Sequence, residues 1–156
     1  MKPTVYLETS VVSYLAARPS RDLIVAAHQQ ITSVWWEKQR PHFDFLVSPF
    51  VVDEVRQGDP TEAARREKLL AGMKVLDISG EVLELAEEYN RILQLPIRKK
   101  VDALHLATAS WHGVNYVLTW NCKHIASAQV RRALFVINAA RKLSIPVLCT
   151  PEELEA

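Results

Sequence analysis

The chain has 156 residues, 49% hydrophobic and 24% charged, a balance that supports one compact core and excludes an intrinsically disordered chain. Nineteen Lys and Arg against eighteen Asp and Glu leave a net charge of +1, so no global field draws a polyanion and any nucleic-acid surface has to be local. No apolar run approaches the roughly 20 residues that span a bilayer, and the N-terminus lacks a basic stretch followed by a hydrophobic signal segment, so a cytoplasmic protein with no membrane partner is expected.

Thr4 to Leu7 read as a short strand, with Thr9 and Ser10 as N-cap residues for a helix over Val11 to Ala17. Pro19 and Ser20 break the pattern. Arg21 to Gln39 then resumes as a long helix whose predicted inward face carries Leu23, Ala26, Ala27, Ile31, Val34 and Trp35. Phe43 to Val47 is the second strand, and Ser48 as N-cap with Pro49 in the first turn starts the next helix. Gly58, Asp59 and Pro60 end that helix, and Thr61 to Ala71 forms another, rich in alternating charge. Lys74 to Ile78 is the third strand. Ser79 opens a helix through Leu93, with Val82, Leu83, Leu85, Ala86 and Tyr89 as its buried side. Leu95 and Pro96 interrupt, and Lys99 to His112 forms a helix with Val101, Leu104, Ala107, Ala109 and Trp111 inward. Asn115 to Thr119 is the fourth strand, Ala126 to Leu143 mostly helix, Pro146 to Cys149 the fifth strand, and Pro151 starts a terminal turn. Cys122 and Cys149 have no disulfide or metal spacing and are expected to be reduced thiols.

Strands separated by helices predict an α/β domain of three layers, α/β/α, with a central parallel sheet of about five strands. With no repeat, low-complexity stretch or long linker, residues 1–156 read as one domain. In open α/β sheets, ligands bind beyond the carboxyl ends of strands, where the strand order reverses. Glu8 closes the first strand, Asn121 follows the fourth, and Glu54 and Asp102 are expected near helix starts facing the same edge. Asp53 and Glu54 are both read into a first turn, where the helix dipole favours negative charge, with Asp53 turned to solvent. Asp102 sits in an otherwise apolar helix, where an unpaired carboxylate is costly.

Together Glu8, Glu54, Asp102 and Asn121 form an acidic, oxygen-only pocket, and carboxylates that share a site repel unless a cation neutralises them. A divalent metal is the natural occupant. Held by carboxylates, such an ion serves phosphodiester hydrolysis, which needs an activated water, a neutralised phosphate and a stabilised leaving oxygen. Glu8 and Asp102 are expected to bind it directly, and Glu54 and Asn121 directly or through water. Thr9 or Ser10 can present hydroxyl and backbone N–H groups to a phosphate. Short basic groups at Arg98, Lys99 and Lys100, at Lys123 with His124, and at Arg131 with Arg132 are local anion contacts or solvated faces. His105, one turn from Asp102, reads as a hydrogen-bonded helix histidine. Trp120, beside Asn121, is the candidate base-stacking platform; Trp35, Trp36 and Trp111 fit a core or a subunit interface.

Four segments carry a family resemblance: Tyr6-Leu7-Glu8-Thr9-Ser10-Val11-Val12, Ser48-Pro49-Phe50-Val51-Val52-Asp53-Glu54-Val55, Val101-Asp102-Ala103-Leu104-His105-Leu106-Ala107 and Leu118-Thr119-Trp120-Asn121. In order and over nearly the whole chain, they resemble the motifs of the PIN-domain family, in particular the toxins of bacterial and archaeal toxin–antitoxin pairs. That resemblance implies an endoribonuclease dependent on Mg²⁺ or Mn²⁺, with Glu8, Glu54, Asp102 and Asn121 at the family's four acidic or polar positions. Thr9 or Ser10 and Thr119 fall at its hydroxyl positions. It also implies an RNA substrate, a cognate antitoxin and a homodimer. One departure matters: the first position is usually Asp, and Glu8 adds a methylene to a site where Mg²⁺ demands near-ideal octahedral geometry. The alternative is therefore a catalytically silent PIN-like module that binds RNA or a protein. An unrelated phosphoryl-transfer or hydrolase fold is disfavoured, because the chain has no glycine-rich phosphate loop and no Gly-x-Ser-x-Gly elbow.

Overall fold

The computed structural model describes residues 1–94 and 100–156; Arg98 and Lys99 of the first basic group, and the expected break at Leu95 and Pro96, lie outside them. In chain order the elements are β1 (Thr4–Leu7), α1 (Thr9–Ala16), α2 (Leu23–Gln39), a 3₁₀ turn (Arg40–His42), β2 (Asp44–Val47), α3 (Pro49–Val55), α4 (Pro60–Leu70), β3 (Lys74–Val75), α5 (Gly80–Leu93), α6 (Lys100–Trp111), β4 (Tyr116–Leu118), α7 (Ala128–Ala140) and β5 (Val147–Cys149). All five strands are parallel, in the order β3-β2-β1-β4-β5. The chain builds outward from β1 in one direction through β2 and β3, then returns to β1's other side with β4 and β5. The order therefore reverses between β1 and β4.

β1 is the centre of the core. Val5, Tyr6 and Leu7 are fully buried, as befits a parallel strand covered on both faces and written as an unbroken apolar run. Its register aligns Val5 with Phe45 on one side and Tyr116 on the other, and Leu7 with Leu118. On the helices, α1 packs on α2 and α4, while α5 packs on α6 and α7. Ser48, Asp59, Ser79 and Ser127 cap α3, α4, α5 and α7, each side chain accepting a backbone N–H of the first turn. Gly113, at φ 67° between α6 and β4, takes a left-handed conformation that a side chain disfavours.

Several sequence expectations are corrected by packing. The N-cap of α1 is Glu8, not Thr9 or Ser10: its carboxylate reaches forward to the Ser10 backbone N–H, and the helix begins at Thr9. In α2 the buried residues are Thr32 and Trp35, whereas Leu23 is 85% exposed, Val34 lies at the surface and Ala27 is exposed. The 3.6-residue periodicity identifies an apolar stripe but not which stripe meets a neighbour. Leu83 of α5 and Trp111 of α6 are likewise exposed. The third strand is only Lys74–Val75, because β3 is an edge; after Leu76 N–H reaches Val47 O at 2.8 Å the chain turns away.

A buried polar knot joins the helices on the far side of the sheet from α2. Asn138 is fully buried; its Oδ1 accepts from the Tyr89 hydroxyl, and its Nδ2 donates to Ser110 Oγ at 2.9 Å and Ser144 O at 2.8 Å. Burial holds the Tyr89 phenol protonated, pushing it up to about 12. Tyr89→Phe is expected to lower stability by about 1–3 kcal/mol, because it leaves the buried Asn138 oxygen short of its donor. Urea unfolding measures the change; a loss under about 0.5 kcal/mol would mean that the oxygen finds another donor. Both cysteines are free thiols, and burial raises Cys149 to about 12, which keeps it an unreactive thiol.

Candidate functional site

At the carboxyl ends of β1 and β4, on the line where strand order reverses, the four polar positions come together through their neighbours. Glu8 follows β1 directly and is 6% exposed. Its Oε1 accepts from Thr119 Oγ1 at 2.5 Å and from the Ser10 hydroxyl, and its Oε2 from Ser10 N at 3.1 Å. Thr119, fully buried after β4, in turn accepts the Asn121 backbone N–H at 2.9 Å. Asn121 completes that side by donating Nδ2 to Asp102 Oδ1 at 3.2 Å, while its own Oδ1 caps the His124 N–H at 3.0 Å.

A second run of contacts passes through α3. Thr9 Oγ1 donates to Glu54 Oε1 at 2.8 Å, and the same oxygen lies 2.8 Å from His105 Nε2. Two runs of contacts result: Glu8 to Thr119 to Asn121 to Asp102, and Thr9 to Glu54 to His105; Glu8 and Thr9 are adjacent in the chain, and His105 stands three residues after Asp102 on α6. The Thr9 and Ser10 hydroxyls, expected to face a phosphate, are here turned onto the acids. Lys123 is exposed in the loop that follows Asn121, and Asp53 faces solvent as expected.

Glu54 is corrected in one respect. It lies one residue from the end of α3, and Asp53 two, neither in the first turn where both were expected, so the helix dipole opposes the Glu54 charge there. What holds it is tertiary. Burial alone would raise its pKa, but the His105 hydrogen bond, with the Thr9 hydroxyl, outweighs that and holds the carboxyl below its ordinary value. An unfolded Glu ionises near 4.3. The stability contributed by a carboxyl with a lowered folded pKa is complete above that value and is lost as pH falls through the folded one. Melting temperature is therefore expected to fall more steeply across that acid window in the parent than in Glu54→Gln. Parallel curves would show that Glu54 carries none of the acid sensitivity.

Behind His105 lies a contact chain that sequence reasoning missed. His105 is 1% exposed, and its Nδ1 sits 2.5 Å from the Tyr6 hydroxyl, which is 2.7 Å from Ser48 Oγ. Burial drives the Tyr6 pKa far up, so the phenol keeps its proton. Ser48 Oγ accepts the Val51 N–H, which leaves its own proton for Tyr6. Tyr6 then donates to Nδ1, and Nε2–H donates to Glu54. The available signal was Tyr6 itself: a tyrosine in a strand buried on both faces has to find a partner for its hydroxyl.

The donors are carboxylate, amide and hydroxyl oxygens, a set that suits a hard divalent cation such as Mg²⁺ or Mn²⁺ and not a thiophilic metal. Among the described residues no three Asp, Glu, His or Cys side chains gather closely enough to enclose an ion. Each acid is instead held on hydroxyl, amide or imidazole donors.

A family model described as PIN domain matches residues 5–124. No curated protein matches the chain significantly. Among solved structures, VapBC2 from Rickettsia felis, bound to a DNA fragment from their promoter, is similar at 13% identity and a TM-score of 0.59, over 94% of this chain and 98% of that one. VapBC-1 from nontypeable Haemophilus influenzae is similar at 12% identity and a TM-score of 0.58, over 96% and 98%. FitAcB from Neisseria gonorrhoeae is similar at 16% identity and a TM-score of 0.55, over 96% and 99%. At these identities the likeness is one of fold.

Proposed function

Because this chain belongs to the PIN-domain family, which the match over residues 5–124 establishes, we propose that it is a divalent-metal-dependent endoribonuclease, the toxin of a type II toxin–antitoxin pair. The observation that carries this reading is the pair of hydrogen-bonded runs that gathers Glu8, Glu54, Asp102 and Asn121 at the β1/β4 reversal. Glu8 and Asp102 would hold Mg²⁺ or Mn²⁺ directly, with Glu54 and Asn121 bound directly or through water. When bound, the cation supplies charge neutralisation for the phosphate and acidifies an attacking water. Ser10 and Thr119 fix the Glu8 carboxylate, Thr9 and His105 fix Glu54, and the Asn121 amide orients Asp102. The exposed Lys123 brings positive charge to the RNA backbone, a contact that weakens with salt.

A cognate antitoxin is the proposed protein partner, supported by the family resemblance and by the likeness to VapBC and FitAB structures. A homodimer follows from the same resemblance and is tested by sedimentation. Among the described residues no helix is long and apolar enough to cross a membrane, and the proposed compartment is the cytoplasm.

Titrating Mn²⁺ into metal-stripped protein tests the centre. Binding to the native state is expected to add about 2.7 kcal/mol at a hundredfold excess over Kd, and RNA cleavage is expected to need the metal and stop with chelator. One observation favours a second reading, the catalytically silent module: Glu8 is fully committed as the cap of α1, with both oxygens satisfied. Glu8→Asp separates the two. If the parent is inert and the shorter acid gains cleavage, the silent reading holds for this chain; equal activity shows a site that tolerates the longer acid.

A further inference from the structure

Trp120 sits between Thr119 and Asn121, and the fold clamps it twice. Its backbone N–H donates to Ser10 Oγ at 2.8 Å, the same hydroxyl that holds Glu8, and its indole N–H donates to Thr32 Oγ1 at 2.7 Å. Thr32 in turn donates to the His28 carbonyl at 2.6 Å. The His28 imidazole lies flat on the indole, with ring centroids 4.0 Å apart and planes inclined by 12°. Tyr14 flanks both rings at 6.3 Å.

Packing alone is a poor account of this arrangement. All three rings are only half-buried, and at a site that merely closed α1 and α2 over the β4 loop an aliphatic side chain would remove more apolar surface from water than an imidazole. What the pair offers is a rigid π surface, one residue from Asn121 and one hydroxyl from Glu8. Unpaired RNA bases are recognised by such surfaces, since every base has a π face and a splayed strand exposes it.

We propose that His28 and Trp120, with Tyr14 at their edge, form a nucleobase subsite that takes one unpaired RNA base beside the scissile phosphate, the base adding a layer to the stack. This rests on the nuclease reading for its substrate, but its test does not need cleavage. The probe is a short labelled single-stranded RNA of mixed sequence, with an abasic nucleotide moved through it position by position, bound in chelator and followed by fluorescence anisotropy. With the parent protein, one abasic position is expected to weaken binding about tenfold, the worth of one stacked base. His28→Leu, which keeps bulk and removes the flat ring, is expected to erase that position dependence without changing the melting temperature by more than a few degrees. Trp120→Phe, with a smaller ring, is expected to retain part of it.

A parent that binds no RNA, or binds every abasic probe as well as the intact strand, overturns the subsite, and this arm needs no variant to fold. So does His28→Leu with parental affinity and position dependence. Metal-dependent cleavage by the parent alongside such a failure leaves the nuclease reading standing; position-dependent binding by a parent that never cleaves removes the nuclease reading and keeps the subsite.

Discussion

Asp102→Asn is expected to cut metal-dependent RNA cleavage by more than about a hundredfold while leaving the metal-free fold intact. Removing a group that merely supports a metal ligand costs about 10- to 100-fold, so a residue proposed to hold the metal itself should exceed that range. The substitution is nearly isosteric. Asn keeps an Oδ1 to accept from the Asn121 amide, now at 3.2 Å, and it removes one negative charge from a site that also contains Glu8 and Glu54. Relief of like-charge repulsion means that the metal-free melting temperature should hold or rise, and that Mn²⁺ should no longer raise it. Single-turnover cleavage and thermal melting are the two readouts. Cleavage within tenfold of the parent would take Asp102 out of the centre, and a melting temperature far below the parent's would make the lost activity a folding effect.

The largest effect on stability is expected from His105→Leu. Leucine fills the space but leaves the Tyr6 hydroxyl, fully buried in the central strand, without its acceptor, and deprives Glu54 of its strongest donor. The stranded Tyr6 hydroxyl costs about 1–3 kcal/mol and the half-buried Glu54, which keeps its Thr9 donor, about 1 kcal/mol, so a total of about 2–4 kcal/mol is expected. For a chain of this length that corresponds to a fall of about 4–16 °C in melting temperature. Because the contacts form a chain, Tyr6→Phe should reduce what His105→Leu then costs; the double variant is expected to be more stable than the sum of the two singles predicts. Urea unfolding of the four proteins measures this. Strict additivity would show that Tyr6 and His105 act independently.

The same residues show why part of the site could be read before any coordinates and part could not. Glu8, Asp102 and Asn121 announce themselves locally: an acid closing an apolar strand, a carboxylate inside an apolar helix, and a polar residue just past a strand. Glu54 was found by its place in a motif, yet its helix position was misread, because α3 is only seven residues long and ends at Val55. The partners of these acids were less visible. Nothing adjacent in sequence links Thr119 to Glu8, 111 residues away, or His105 to Glu54, 51 residues away. His28 carried no signal at all, since its stacking on Trp120 depends on where α2 passes the loop after β4.

Sequence by itself determined the alternation of strands and helices, the parallel sheet and the four polar positions at strand and helix ends. Those follow from periodicity, capping residues and turn residues, which act over a few neighbours. Tertiary structure alone decided which stripe of α2 is buried, that Glu8 caps α1, and which of Thr9, Ser10, His105, Thr119 and Asn121 each acid is held by. Those depend on contacts between segments far apart in the chain, whose geometry is set by sheet order and helix packing and leaves no local pattern to read.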